Sequence, residues 1–307
     1  MSLLDRKRVG LVLRVFSLKP ELVEKNVQQV LETLAIANNL RVKGKLVFSR
    51  IDVLVSADDR YGDTDCGLTR EAIEKALAED RQEAIDYAIQ RDQPHPGGLD
   101  TIHVAEVGNG DIFCGMLNYG IAKQVRDRID YTMILSFQVM KYLTVENVEP
   151  MLTALEAGAR VAGLALTELA PSILDGRIAN TFAIWDNISL LTVGGFDLRA
   201  AKPLKDDRLA DYVRGWSAEK GEVFYNSAGV EEMFPLIRMI KLFGPCTAPI
   251  HPVTGGRWEV SNDPDVQKRE QSKLGTKFER QMRWAVAEDV DFSFLRGGVM
   301  PEYRQQQ

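Results

Sequence analysis

Two short acidic clusters are the residues of this chain best suited to grip a ligand. The first, Asp58-Asp59 with Asp65 farther on, falls in the polar run 57–65, between a β-branched stretch and a helix-like one. Carboxylates in such a loop accept hydrogen bonds from hydroxyl and N–H groups, and the same residues also suit a solvated acidic turn. The second cluster, Glu231-Glu232, begins an apolar helical pattern. The positive end of a helix dipole favours acids there whatever else they do. Glycine-based phosphate sites fit poorly. Gly110 to Gly115 continues with Met116-Leu117 where a phosphate loop needs Lys-Ser/Thr, and Gly108-x-Gly110 lacks a third glycine at 113. Cys66, Cys114 and Cys246 form no CxxC pair and read as reduced, buried thiols. His95, His103 and His251 have no metal-ligand spacing.

Bulk properties narrow the classes further. The formal net charge of −6, with Lys and Arg scattered singly, argues against a nucleic-acid partner, since phosphate backbones need clustered cations. With 307 residues and 45% hydrophobic content, the chain can bury a sizeable core. No run approaches the roughly 18 uninterrupted apolar residues that cross a bilayer. Arg14 interrupts the apolar run that gives the amino terminus the look of a secretion signal. The expectation is a cytoplasmic protein without a membrane span.

The elements that must position the acids follow from periodicity. Val9 to Phe16 predicts a strand, and Val23, Val27, Val30, Leu31 and Leu34 behind Pro20 predict an amphipathic helix. Lys45 to Val55 predicts a second strand ending at the Asp58 loop, after which Thr69 caps a helix to Ala78. Residues 80–100 are polar, finish in Pro94-His95-Pro96-Gly97-Gly98, and predict a surface insertion. Strands at Ile102 to Val107 and Tyr131 to Leu135 flank a helix through Ala122; a helix over Val145 to Ala157 and a strand over Arg160 to Leu166 follow. Such alternation predicts an α/β fold with a mostly parallel central sheet flanked by helices. Farther on, a helix is expected over about Glu231 to Phe243. An amphipathic helix over Asp263 to Ala287 carries Leu274, Phe278, Met282 and Val286 on one stripe, and the tail to Gln307 is expected to fray.

In order along the chain, five segments resemble the family 2 glycosyltransferases, nucleotide-diphospho-sugar transferases of the A-type fold, over about residues 8–252. Val9 to Ser17 is similar to the family's opening strand, with Arg14 and Phe16 where a proline and a tyrosine are usual. Asp58-Asp59 with Asp65 resembles its DDGSxD segment. Asn109-Gly110 and Leu117-Asn118-Tyr119-Gly120 resemble a helix beneath the donor. Ile178 to Trp185 running on to Gly194-Gly195-Phe196-Asp197 resembles its acceptor-side strand and GGFD-like turn. Gly229-Val230-Glu231-Glu232 resembles the G-x-E-D helix start whose second acid is the base.

The resemblance implies a domain over 1–255 with a helical extension over 256–307. It implies inverting transfer of a sugar from a nucleotide-diphospho-sugar donor to a carbohydrate or other hydroxyl acceptor. Phe16, Asp58, Asp59, Asp65, Asn118 and Gly120 would bind the nucleotide, Glu232 with Glu231 would act as base, and Asn180 and Trp185 would border the acceptor. One departure is marked. Where the family carries Asp-x-Asp for a divalent ion, this chain has Gln138-Val139-Met140, so no metal is expected at 138–140 and no cofactor is implied. A diphosphate would then fall to Lys123, Arg126 or Lys141. Loss of those acids keeps a second expectation open, a non-catalytic nucleotide-sugar-binding protein. A nucleotidyltransferase is disfavoured, because its glycine-rich, Arg/Lys-bearing loop is missing after the opening strand. Arg280 to Trp284 fits the Q/R-x-x-R-W pattern of processive synthases, which an Arg-rich helix also supplies by chance, and no role is assigned to it.

Overall fold

The computed structural model describes residues 2–15, 22–57, 65–90, 101–108, 114–165, 178–179, 181–197, 231–251, 281, 284–285, 288–291 and 293–304. Its strands make a mostly parallel seven-stranded sheet flanked by helices, and the chain divides into two compact units, Met1–Val148 and Glu149–Gln307.

In the first unit the apolar runs become strands β1 (Val9–Val15), β4 (Phe48–Ala57), β5 (Ile102–Gly108) and β6 (Tyr131–Ser136), all mutually parallel, in the order β5-β4-β1-β6. Between β1 and β4 lie helix α1 (Val23–Asn39) and a two-stranded hairpin, β2 (Arg41–Val42) with β3 (Lys45–Leu46). Both sheet faces are apolar: Val12 and Leu54 point one way, Leu11, Leu13, Val53 and Val55 the other, and all are fully buried. On α1 the buried positions Asn26, Val30, Thr33, Leu34 and Ala37 recur at helical spacing.

Helix α2 (Asp65–Gln90) departs from the sequence-based expectation. It continues through 80–90, where a surface insertion was predicted, and it starts at Asp65, so Thr69 is a buried interior residue rather than a cap. Ion pairs one turn apart, Arg70–Glu74 at 3.7 Å and Lys75–Glu79 at 3.8 Å, support its polar face, and Arg70 also reaches Glu106 on β5 at 3.1 Å. Helix α3 (Cys114–Arg126) returns the chain to β6, and the short 3-10 segment Phe137–Tyr142 leads into α4 (Val145–Glu156), which crosses the boundary between the units.

The second unit continues with β7 (Val161–Leu164), β8 (Phe182–Asp186), α5 (Asn187–Thr192), α6 (Met233–Phe243) and β9 (Thr247–Ile250). Strand β7 lies between β8, which is antiparallel to it, and β9, which is parallel. Asp186 caps α5 by accepting from the Ser189 amide at 2.9 Å, and it also receives Arg160 at 3.2 Å. The Gly194-Gly195 turn needs φ of +89° and +71°, values that glycine adopts without strain, and it delivers Phe196 edge-on to Trp185 at 5.2 Å.

The expected fraying of the tail is corrected. Leu295, Val299 and Met300 are buried, the amides of Cys246 and Thr247 donate to the Gly298 carbonyl at 2.8 and 3.0 Å, and Val299 bridges to Thr247. The apolar residues of Phe294 to Met300 gain cover by closing over the start of β9. Of the predicted stripe, Leu274, Phe278, Met282 and Val286 lie outside the described residues; the described buried residues there are Gln281, Trp284 and Ala285.

Candidate functional site

The strand order of the first unit creates a topological switch point. From β1 the chain moves outward to β4 and β5 and then crosses back to β6 on the other side of β1. The crossover helices leaving β1 and β6 therefore diverge, and the crevice outside their carboxyl ends is where open α/β sheets receive ligands. Because the four strands are parallel, the chain leaves the sheet at this same edge after Val15, Ala57, Gly108 and Ser136. Phe16, Asp58 and Asp59 directly follow two of those exits in sequence, and they lie outside the described residues. Asp65 opens α2, seven residues beyond Asp58.

On the β6 side the edge is formed by Phe137–Tyr142. Val139 is buried, and the Thr33 hydroxyl of α1 donates to the Met140 sulfur at 3.1 Å, so this side chain turns toward α1. Lys141 is exposed there, its ammonium 5.3 Å from the Tyr142 ring centroid. Among the described residues no group of three or more His, Cys, Asp or Glu gathers as a metal-ligand set.

Below the edge, Gly120 lets α3 approach the sheet: a Cβ at this position would stand 2.9 Å from Leu54 and 3.0 Å from Val12. Asn118 lies half-buried two residues earlier on the same helix. Lys123 and Arg126 are removed as diphosphate candidates. Helix α3 runs back along the sheet, so its last turn reaches the amino half of the strands. There Lys123 sits 4.0 Å from Asp52, and Arg126 3.9 Å from Asp127. Of the three proposed cations, Lys141 alone follows a strand's carboxyl end.

Sequence reasoning missed the polar network beneath that helix turn. The Arg50 guanidinium grips Asp52 through two bonds of 2.7 Å and also pairs with Asp127. Gln124 donates to Asp52 at 3.2 Å and to the Leu11 carbonyl at 2.9 Å while accepting from Thr132 at 2.7 Å. His103, opposite Asp52 in the register, is held below its ordinary pKa chiefly by burial, then by the Arg50 charge. The signal was present: Arg50 and Asp52 alternate within the strand Phe48–Ala57, whose other residues apart from Ser49 and Ser56 are apolar.

In the second unit, Glu231 and Glu232 form the turn before α6, and Glu232 is its N-cap without a side-chain capping bond. Glu232 is 0% exposed, and its Oε1 accepts from the Gln281 amide at 3.0 Å. Trp284 meets Phe234 edge-on at 5.1 Å, with the Arg238 guanidinium 4.0 Å from the Phe234 centroid. Glu231 is also buried.

The two residues expected to border an acceptor fall differently. Asn180 lies outside the described residues, just ahead of β8. Trp185 is 0% exposed; because β8 runs antiparallel, it pairs with Val161, at the opposite end of β7 from Leu164 and Ile250. Its indole offers no face to a sugar, and its Nε1 finds no hydrogen-bond partner among the described residues.

No protein-family model matches the chain, and no curated protein matches it. Solved structures with a related trace include a 4-diphosphocytidyl-2C-methyl-D-erythritol synthase from Anaerococcus prevotii, at TM-score 0.42 and 9% identity, covering 87% of this chain and 98% of that one. A cytidylyltransferase from Leptospira borgpetersenii is similar at TM-score 0.42 and 8% identity, over 96% of this chain and 99% of that one. The mannosyltransferase PcManGT from Pyrobaculum calidifontis, solved with GDP-Man and Mn²⁺, is similar at TM-score 0.38 and 11% identity, over 92% and 76%. The α/β fold class rests on the strand order and pairing above. No described helix is long and apolar enough to cross a membrane.

Proposed function

We propose that this chain binds a nucleotide-diphospho-sugar at the switch point of its first unit and transfers the sugar, with inversion, to a hydroxyl acceptor. The observation that supports this is the order β5-β4-β1-β6, by which β1, β4 and β6 end at one edge beside the β1/β6 crevice, and Phe16, Asp58-Asp59 and Lys141 follow those ends in the sequence. Phe16 would cover the base, and Asp58, Asp59 and Asp65 would accept from base and ribose donors. Asn118 and Gly120 would form the floor. Lys141 would meet the diphosphate in place of a metal, since Met140 and the buried Val139 offer no hard anionic oxygen. In the transfer itself, an acceptor oxygen attacks the anomeric carbon as the nucleoside diphosphate leaves. Glu232, supported by Glu231, takes the acceptor's proton, and Asn180 would border the acceptor.

A thermal-shift screen of nucleotide sugars, with and without Mn²⁺, tests the binding step. Saturating donor raises stability by about 2.7 kcal/mol at a hundredfold excess over Kd, Mn²⁺ adds nothing, and Lys141→Ala weakens the response. If no nucleotide sugar shifts the melting temperature, the proposal fails.

The complete enclosure of Glu232 favours a second reading, a binding protein that keeps the fold without the reaction. Glu232→Gln keeps shape and removes basicity, so it separates the two. Transfer that falls by 10²- to 10⁴-fold while donor binding persists identifies the base. A wild-type protein that binds the donor yet transfers to no hydroxyl or water is the binder.

A further inference from the structure

We propose that Gln281 is a positioning residue that fixes the orientation of the Glu232 carboxylate, and that the segment carrying it is therefore part of the same site as α6. The proposal rests on the assignment of Glu232 as proton acceptor. The torsion that turns a glutamate's carboxylate about its last bond is broad and roughly two-fold, so the backbone of Glu232 does not by itself decide where each oxygen faces. Gln281, 2% exposed, supplies a constraint of this kind by donating its amide to Oε1 at 3.0 Å. A bond to one oxygen restrains the carboxylate plane and with it the direction of Oε2.

Two further contacts fix Gln281 in turn. Three residues on, Trp284 lodges edge-on against Phe234 with the rings 82° apart, and Phe234 is held from another side by Arg238. Four residues beyond that, the Glu288 carbonyl accepts from Lys241 at 2.6 Å. The contacts pair 281 with 232, 284 with 234 and 288 with 241, so this segment and α6 advance together in register. Trp284 and Ala285 are 1% exposed. An aromatic anchor one turn away leaves the Gln281 side chain little freedom to retreat, the arrangement that holds a reacting group within the tolerance that catalysis needs.

The test replaces Gln281 with Met, which keeps length and removes the donor, in protein labelled with ¹³C at glutamate Cδ. The Glu232 resonance is identified by its absence from Glu232→Gln. We expect it to move in Gln281→Met and to stay in place in Leu242→Ala, an exposed position on α6 that leaves the amide and its anchor untouched. On the transfer reaction, kcat falls by on the order of 10- to 100-fold while KM for the donor stays within about twofold. A resonance that does not move, or a loss that sits in KM alone, overturns the proposal. Gln281→Asn keeps the amide but draws it back by one methylene; it replaces the Met variant where that does not fold, with the same outcomes expected. If the wild-type protein transfers nothing, it is the role of Glu232 as base that fails, and the resonance alone decides whether Gln281 orients the carboxylate.

Discussion

Gly10→Ala should be among the most damaging single-methyl additions to the first unit. The new Cβ would stand 2.2 Å from Gln124 Oε1, 2.5 Å from its Cδ and 2.7 Å from its Nε2, all closer than atoms tolerate. Gln124 is fully buried and tied at three points: to the Leu11 carbonyl, to Asp52 and to Thr132. If the amide stays, overpacking costs about 1–3 kcal/mol. If it swings away, the three bonds are lost at about 0.5–1.5 kcal/mol each, with more for the charged partner. Against this, alanine stiffens the unfolded chain and contributes about 0.4–1 kcal/mol of stability. The net expectation is a loss of roughly 2–4 kcal/mol, read from urea unfolding followed by far-UV circular dichroism. The cause is isolated by a double-mutant cycle with Gln124→Ala, in which the clash is gone and the methyl leaves at most the gain of about 0.4–1 kcal/mol. A Gly10→Ala protein within about 0.5 kcal/mol of wild type, or an equal cost in both backgrounds, refutes the steric account.

Arg50→Met strands the buried Asp52 carboxylate and should cost about 3–5 kcal/mol in urea unfolding, whereas Arg50→Met with Asp52→Leu should cost less than the single change. Because burial and the Arg50 charge lower the His103 pKa, against the opposing pull of Asp52 and Asp127, the unfolded chain takes up this proton first. Stability from this residue is thus full above the ordinary value of 6.5 and drains as pH falls through the depressed folded value, and His103→Gln should flatten that part of the stability–pH curve. Burial pushes the Cys246 thiol up to about 11, so mass-spectrometric mapping of alkylation at pH 8 should find it unlabelled until the protein unfolds; rapid native labelling would contradict its place in the core.

The parallel sheet was legible because most of its strands are chiefly apolar runs, and Val9 to Val15 is buried on both faces. Helix α2 was cut short because the run Glu79-Asp80-Arg81-Gln82-Glu83 is wholly polar, and a helix that continues through such a run shows no apolar period there. The tail was misjudged for the opposite reason, since Phe294, Leu295, Val299 and Met300 are too few to show a period yet suffice to cover one end of β9. Lys123 and Arg126 looked equivalent to Lys141 because charge can be counted from sequence while the direction of a helix across a sheet cannot. Gln281 was invisible among polar neighbours, its partner lying 49 residues away.

That separation bears on how the protein comes into being. A ribosome delivers Glu232 and the whole of α6 well before Gln281 and Trp284, and it delivers Cys246 and Thr247 long before the Gly298 carbonyl that their amides meet. Through that interval the flank of α6 around Phe234 and the start of β9 have no cover from the carboxyl-terminal segment, and closing so long a loop carries an entropic cost that local contacts do not. The second unit must therefore complete itself late, after synthesis has passed residue 298, and until then Glu232 and the apolar flank of α6 are within reach of water, chaperones and proteases.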